Sequence, residues 1–286
     1  MSEGLIQTLT GPSGRVWDLL SPSLGFDQSG LVGHGVPLVQ HHLHPRNGHG
    51  SWWTGWRVAE RPVRWPVKLT GRTATEWLEQ HRAFTADLHP AFPATWTIRT
   101  PDGAARDLQV RLNADGWSSP YDPLVQLKQR FDLELLGDDF WLGELVERGW
   151  GATGYQGPWF LGPGEGGVVR LAQGQTMGSA RVTNPGDDEA WVTWPITGPC
   201  TSWTVGVAGR TVTSTKTLLE GETRRLVTAS GTLKLLTESG EDVSSAEVAA
   251  ADWAPIPAGE DVRLTVAMVG TGSIYATFRP PYLRAY

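Results

Sequence analysis

Alternation of apolar and polar residues with a period of two is the dominant pattern of this chain. In residues 63–69 the odd positions are apolar and the even positions are Arg, Pro and Lys, as in a strand with one buried face. Pro66 predicts that this strand lies at a sheet edge or beside a bulge, because proline donates no ladder hydrogen bond. Residues 96–98 and 108–112 alternate on either side of a Pro-Asp-Gly turn at 101–103, which predicts a hairpin.

A longer alternating run predicts a single strand from Val125 to Leu135. Its apolar members share one parity, and Gln129 interrupts them. They are Val125, Leu127, Phe131, Leu133 and Leu135.

One segment has helical spacing instead. Thr73 and Glu76 form a capping-box pattern, and an amphipathic stripe then continues until Pro90 stops it. We predict a helix over about 74–89 that lies across the sheet. His81 falls on the stripe, and packing at the edge of an aromatic core is favoured over catalysis because no recognisable nucleophile or acid partner accompanies it.

The second half of the chain contains many short alternating runs and no long helical pattern. Glycine and Asn-Pro-Gly turns separate these runs, which predicts an antiparallel β-sandwich. A stretch rich in glycine and aromatic residues at 137–167 is typical of a domain junction. Since 286 residues are enough for two domains, we place them at residues 1–143 and 144–286.

Composition and charge exclude several functions. A net charge of −6 without a dense Lys/Arg run argues against stable nucleic-acid binding. The first residues do not have the pattern of a signal peptide, and no run approaches the roughly 18 apolar residues of a membrane helix. The single cysteine, Cys200, excludes an intrachain disulfide and a multi-cysteine zinc site, and favours synthesis in a reducing cytoplasm.

A turn rich in acids lies at 184–189. Asn184-Pro185-Gly186-Asp187 predicts a turn in which the glycine takes a positive φ and the chain passes from one strand to the next. The acids at 187–189 solvate this turn. They lack the alternating ligands of a calcium loop, so we predict no metal there.

Five of the seven histidines lie within residues 34–49. They are His34, His41, His42, His44 and His49. Imidazoles bind Zn, Ni or Cu, but no Asp, Glu or Cys accompanies them, so we favour a polar loop over a metal site. Protonation near pH 6 would loosen this loop, roughly at the pKa of histidine.

Three tryptophans follow the histidines: Trp52, Trp53 and Trp56. Trp52 and Trp53 are adjacent, so in a strand they point to opposite faces and at least one leaves the core of its own domain. Exposed indoles stack on sugars or anchor protein interfaces. We favour a contact between subunits over a sugar site.

Four segments resemble the distal tail proteins of long-tailed siphophages, particularly those of phages that infect actinobacteria. They are FDLELLGDDFWLG, RVTNPGDDEAWVTWPITGP, ADWAPIPAGEDVRLTV and GSIYATFRPPYLRAY. Each is a general turn-and-strand pattern, and their succession is specific. In this order they span most of the chain.

The resemblance implies a non-enzymatic virion protein. Its N-terminal domain would be a β-sandwich or barrel-like domain with one helix, and its C-terminal domain a galectin-like β-sandwich that faces outward. The N-terminal domains would form a hexameric ring at the distal end of the tail, between the tail tube protein and the tail-tip hub. The C-terminal domains would hold receptor-binding or other baseplate proteins. DNA would only pass through the lumen, which suits an acidic chain.

A closed ring needs surfaces that dock on an identical neighbour. We predict that Trp52, Trp53 and Trp56 provide such contacts, together with Pro66 and the strand residues Val125, Leu127 and Phe131. No catalytic motif for a nucleophile elbow, a zincin, a P-loop or a dinucleotide site occurs. We therefore predict no catalytic residue and no cofactor.

The main alternative is a carbohydrate-binding β-sandwich protein. In that function Trp191 and Trp203 would contact a glycan or a partner protein. A hydrolase that uses acids such as Asp187 and Glu260 has no support beyond the presence of those residues.

Overall fold

The computed structural model describes residues 4–26, 30–117, 121–151 and 179–286. Strands make up 53% of the structure and helices 8%, which confirms the predicted mainly β class. The chain divides into two compact units, Met1–Gly143 with Tyr282–Tyr286, and Glu144–Pro281. The last five residues thus belong to the first unit, whereas the sequence analysis placed them in the second. Residues 152–167 of the expected junction lie outside the described part.

The described residues of the first unit form ten strands before the junction and two helices. They are β1 (Ile6–Thr10), β2 (Val16–Asp18), β3 (Leu24–Phe26), β4 (Val39–Pro45), β5 (Ser51–Val58), β6 (Arg61–Thr70), α1 (Ala74–Ala86), β7 (Ala94–Arg99), β8 (Ala105–Ala114), α2 (Pro123–Gln126), β9 (Lys128–Gly137) and β10 (Trp141–Leu142). One antiparallel sheet has the order β2-β1-β7-β8-β9-β6-β3, with β10 beside β8. It is nearly closed into a barrel, and β4 pairs with β5 in a separate two-stranded sheet.

Alternating side chains fill the interior of this barrel-like sheet, as the sequence pattern predicts. The odd positions of β6 from Val63 to Leu69 are buried, and the Trp65 and Trp96 rings meet edge to face at 5.0 Å. Phe26 donates its backbone N–H to the carbonyl of Leu19 at 3.0 Å, which brings the last strand of the sheet back towards the first. The buried aromatic residues therefore lie inside a nearly closed layer of strands.

Helix α1 begins where the capping box predicts. The Thr73 hydroxyl accepts a hydrogen bond from the Glu76 backbone N–H at 3.1 Å. Trp77 and Phe84 are buried against the barrel core. The His81 ring stacks on Trp77 with centroids 5.0 Å apart, which confirms its predicted position at the edge of the aromatic cluster.

The prediction of a continuous strand from Val125 to Leu135 is wrong in its first part. The Asp122 carboxylate accepts a hydrogen bond from the Leu124 backbone N–H at 2.9 Å. Asp122 thereby caps a short helix, α2, whose first residue is Pro123. Leu127 then takes a left-handed conformation with φ 54°, and the strand begins only at Lys128. An N-cap and a proline override the alternating pattern here.

In residues 144–151 and 179–281, the described part of the second unit, the chain forms ten strands and one short helix. They are β11 (Val146–Gly151), β12 (Ser179–Thr183), β13 (Thr193–Thr197), β14 (Cys200–Val207), β15 (Arg210–Ser214), β16 (Thr223–Ala229), β17 (Thr232–Thr237), α3 (Ser244–Glu247), β18 (Val248–Ala251), β19 (Asp261–Gly270) and β20 (Ser273–Phe278). Two five-stranded sheets have the orders β11-β20-β13-β16-β17 and β12-β19-β14-β15-β18. Both contribute to one apolar core, as predicted for a sandwich.

The turn after Asn184 connects these two sheets, since β12 and β13 belong to different ones. The predicted positive φ at Gly186 is wrong. Glycine is needed there because a Cβ atom would lie 2.5 Å from the Pro281 carbonyl. The fully buried Asn184 side chain donates to the Asp188 and Ile256 carbonyls and accepts from the Gly186 N–H, so the turn is held by one amide.

The C-terminal residues return to the barrel as β21 (Pro281–Tyr282), which pairs with β10. Ala285 is buried, and its backbone N–H donates to the His34 carbonyl at 2.9 Å. In the described ranges, no helix is both long and apolar enough to cross a membrane.

Candidate assembly surface

The histidine-rich and tryptophan-rich segments form one β-hairpin, which we call the arm (residues 39–58). The predicted polar loop is wrong over residues 39–45, because these form β4 and pair with β5. His41 lies opposite Trp56 and His44 lies opposite Trp52. The strand thus presents its imidazoles beside the indoles of its partner.

The arm exposes large aromatic side chains. Trp52 is 58% exposed and Trp53 is 60% exposed, whereas Trp56 is half-buried. The Trp53 Nε1–H donates to His41 Nδ1 at 3.2 Å, and the Arg46 guanidinium lies 3.8 Å from the Trp52 ring centroid. These contacts orient the rings without covering them. An isolated two-stranded hairpin is marginally stable in water. The arm would therefore gain stability from a partner that covers its exposed rings.

A buried arginine fixes the root of the arm. Arg61 is 1% exposed, and its two terminal nitrogens donate to the carbonyls of Gly33 and Gly35, which precede the arm, and of Asp139 and Leu283. Burial lowers the pKa of this guanidinium to about 10, and the nearby Asp139 charge partly offsets this. One side chain thus joins both flanks of the arm to the residues just before β10 and to the C-terminal residues. Arg61 was not among the residues predicted from the sequence, although it shares the parity of the buried face of β6.

Gly33 and His34 complete this root. Gly33 has φ 129°, and a Cβ atom there would lie 3.0 Å from both Trp96 and Val63, so only glycine fits. His34 packs near the rings of Trp96 and Tyr286. Burial lowers the pKa of His34.

The other predicted ring contacts are divided between core and surface. Phe131 is 4% exposed and packs in the barrel core, so its predicted role as a contact is wrong for the folded chain. Val125 is 73% exposed on α2, and Leu127 is half-buried behind it. Of the strand residues proposed from sequence, Val125 presents the most surface.

Pro66 is buried and does not lie at a free edge. β6 has β9 on one side and β3 on the other. Arg64, two residues earlier, exchanges backbone hydrogen bonds with Val32 on the side away from β9, so Pro66 directs its missing N–H to that side too. The ladder to β9 therefore loses no bond, and the predicted edge contact is wrong.

The two tryptophans proposed for glycan contact also separate. Trp203 is 1% exposed in the core of the second unit, so it cannot stack on a sugar and that prediction is wrong. Its parity with Val205 and Val207 is the sequence signal for burial. Trp191 keeps a partly exposed side chain, and the glycan hypothesis now depends on it.

Chemistry at the described residues is limited. Within those ranges no three or more His, Cys, Asp or Glu side chains form a group that could hold a metal ion. The Asp187 and Glu260 side chains are exposed on loops. Cys200 is buried, and burial raises the pKa of its thiol, which makes it a weak nucleophile.

Comparison with known proteins places the fold. No protein-family model matches the chain, and no curated protein matches it. Among solved structures, the Dit protein of phage SPP1, described as a hub adsorption apparatus of phages that infect Gram-positive bacteria, matches with a TM-score of 0.61 at 13% identity, covering 96% of this chain and 98% of that one. Two structures of the phage p2 baseplate in its activated conformation, with Ca and with Sr, match with TM-scores of 0.58 and 0.59 at 10% and 9% identity and the same coverage. The chain therefore has the fold of phage distal tail proteins.

Proposed function

We propose that this chain is a structural protein of a phage tail that forms a hexameric ring at the distal end of the tail. The observation that carries the proposal is the match to the SPP1 Dit protein over 96% of this chain and 98% of that one. Both units take part in this match, so the likeness is not that of one common β-sandwich. The exposed arm supports the proposal, because a ring protein needs apolar surface for its neighbours.

In this role the ring joins the tail tube protein to the tail-tip hub. The second unit, a galectin-like sandwich, holds receptor-binding or other baseplate proteins. The lumen lets DNA pass, and the net charge of −6 favours weak contact with phosphate. The chain acts without enzymatic activity or cofactor, at the distal end of the virion tail, after synthesis in the host cytoplasm.

Mass photometry and negative-stain electron microscopy of the purified chain test the ring. We expect particles of six times 31.1 kDa with six-fold symmetry and a central opening. Particles of one chain at every concentration would contradict the proposal. A different closed symmetry would retain the ring and overturn the number six.

A further inference from the structure

A ring built from one kind of subunit uses two complementary surfaces on each copy, because every contact in it is heterologous. We propose that the arm of one copy docks on Trp117, Tyr121, Leu124 and Val125 of the next copy. These four residues are called the docking surface. The inference rests on the proposed ring, and it names the part of the neighbour that covers the arm.

The docking surface consists of four exposed apolar side chains within nine residues of sequence. The exposed fractions are 42% for Trp117, 71% for Tyr121, 40% for Leu124 and 73% for Val125. Single exposed apolar residues are ordinary on protein surfaces, but a group of them marks an interaction site.

Contacts near α1 hold both ends of this segment against the same part of the barrel. The Trp117 ring lies 5.0 Å from the ring of His81 and 6.4 Å from that of Trp77. At the other end, Leu127 accepts a backbone hydrogen bond from Gly71 at 2.9 Å, and a Cβ atom on Gly71 would lie 2.7 Å from Trp77. Both ends of the surface therefore converge on the buried Trp77.

The charges of the two surfaces are complementary. Residues 39–58 contain two arginines, four histidines and no acid. Residues 115–125, which carry the docking surface, contain two acids, Asp115 and Asp122, and no base, and both acids are exposed. Complementary charge at the rim of an apolar contact favours the correct register and disfavours pairing of two like surfaces. Two arms, both basic, are therefore poor partners for each other.

The arm is a long hairpin that exposes an indole on each face. β4 and β5 contain 7 and 8 residues, which is about 25 Å of strand. Trp52 and Trp53 project from opposite faces of the hairpin, so a neighbour that receives the arm covers at least one of them. Aromatic side chains of this kind dominate the energetics of protein interfaces.

Chemical cross-linking tests the contact. In a Cys200→Ser background we introduce Thr54→Cys in the arm and Val125→Cys in the docking surface, and treat the ring with a flexible bis-maleimide. We expect a covalent ladder up to the hexamer when both cysteines are present, and single chains from either variant alone. Covalent dimers from Thr54→Cys alone would overturn the inference, because two arms would then pair.

The same samples, viewed by electron microscopy, separate this inference from the proposed function. Intact rings without a cross-link between positions 54 and 125 would overturn the docking surface and leave the ring standing. Single chains without any cross-link would overturn both.

A double-mutant cycle gives an independent readout. Leu124→Ser with Val125→Ser, and Trp52→Ser with Trp53→Ser, each weaken ring formation at least about 30-fold, the size expected for loss of an interface hot spot. Combining the two pairs adds little, since both remove one contact. Leu219→Ser, at a position of the second unit that is 70% exposed, is the matched control and leaves the ring intact. If the combined variant weakened ring formation by the product of the two separate factors, the two surfaces would act independently and the inference would be overturned.

Discussion

The first unit uses tryptophan in two opposite ways. In the barrel, Trp65, Trp96 and Trp141 are all 0% exposed. In the arm, Trp52 and Trp53 are 58% and 60% exposed, although these residues also lie in a β-strand. Both regions place tryptophan in β-strands. They differ in whether other strands of the same chain cover the strand face that carries the indole.

This difference follows from sheet topology. The barrel strands belong to a nearly closed sheet that surrounds its own interior. The arm is a sheet of two strands, too small to bury either of its faces. The tryptophans of the barrel therefore stabilise the subunit, whereas those of the arm are available to stabilise an assembly.

The largest effect on folding is expected from Trp96→Ala. Removing a fully buried indole leaves a cavity in the barrel and costs about 3–5 kcal/mol. Since 1 kcal/mol shifts Tm by about 2–4 °C in a protein of this size, we expect a fall of about 10 °C in the barrel transition. Differential scanning calorimetry measures it. A fall no larger than that of Trp53→Ala would remove the distinction between the two regions.

A smaller but still large loss is expected from Arg61→Met. Methionine keeps much of the volume but removes the guanidinium donor from four backbone carbonyls. The Gly33 carbonyl still accepts from the Trp141 Nε1–H at 3.2 Å, so the cost is about 1–3 kcal/mol for each carbonyl that no other donor reaches. Because Arg61 holds the root of the arm, hydrogen exchange at residues 33–35 should also rise. Arg61→Lys is the control that retains the charge without the planar fork, and it should recover part of the stability. Unchanged exchange at 33–35 would contradict the anchoring role.

In the arm the expectation is reversed. Trp52→Ser with Trp53→Ser changes the free energy of unfolding of a single subunit by about 0.5 kcal/mol or less, as at other exposed positions. The same pair of changes should abolish rings at concentrations where the unchanged chain forms them. Urea unfolding at low concentration and electron microscopy at high concentration measure the two effects. A loss of subunit stability comparable to that of Trp96→Ala would show that the arm is covered within its own chain.

The smallest effect is a pH dependence of the barrel. Burial lowers the pKa of His34 and of His81 from 6.5, so the folded unit binds these protons less readily than the unfolded chain. The contribution of these two neutral histidines to the free energy of unfolding is therefore complete above about pH 6.5, and it is lost as the pH drops below that value. We expect a lower Tm at about pH 5 than at about pH 8, and a smaller difference in His34→Gln, with His81 contributing to the difference that remains. An equal difference in both chains would exclude His34 as a source.

Local signals in the sequence predicted much of the barrel and the sandwich. The capping box at Thr73, the odd parity of β6 and the turn at 101–103 each contain their own physical cause within a few residues. The parity of Trp203 with Val205 and Val207 also predicts its burial, and the glycan hypothesis did not take this parity into account.

Contacts between distant residues explain what the sequence did not predict. Nothing near Ala285 indicates that the chain end returns to the carbonyl of His34. The edge position expected for Pro66 failed because Val32, far away in sequence, bridges to the same strand. The sequence predicts a loop for the histidine-rich part of the arm because its polar residues have no buried face to alternate with. The same property makes the arm a candidate for assembly.

Hydrogen exchange of residues 51–58 tests the central claim most directly, namely that assembly covers the arm. We compare the chain at a concentration where microscopy shows rings with the same chain diluted to single subunits. The account predicts strong protection of these amides in the rings and fast exchange in single subunits, with the barrel strand β6 equally protected in both. Rings in which residues 51–58 exchange as fast as in single subunits would contradict it.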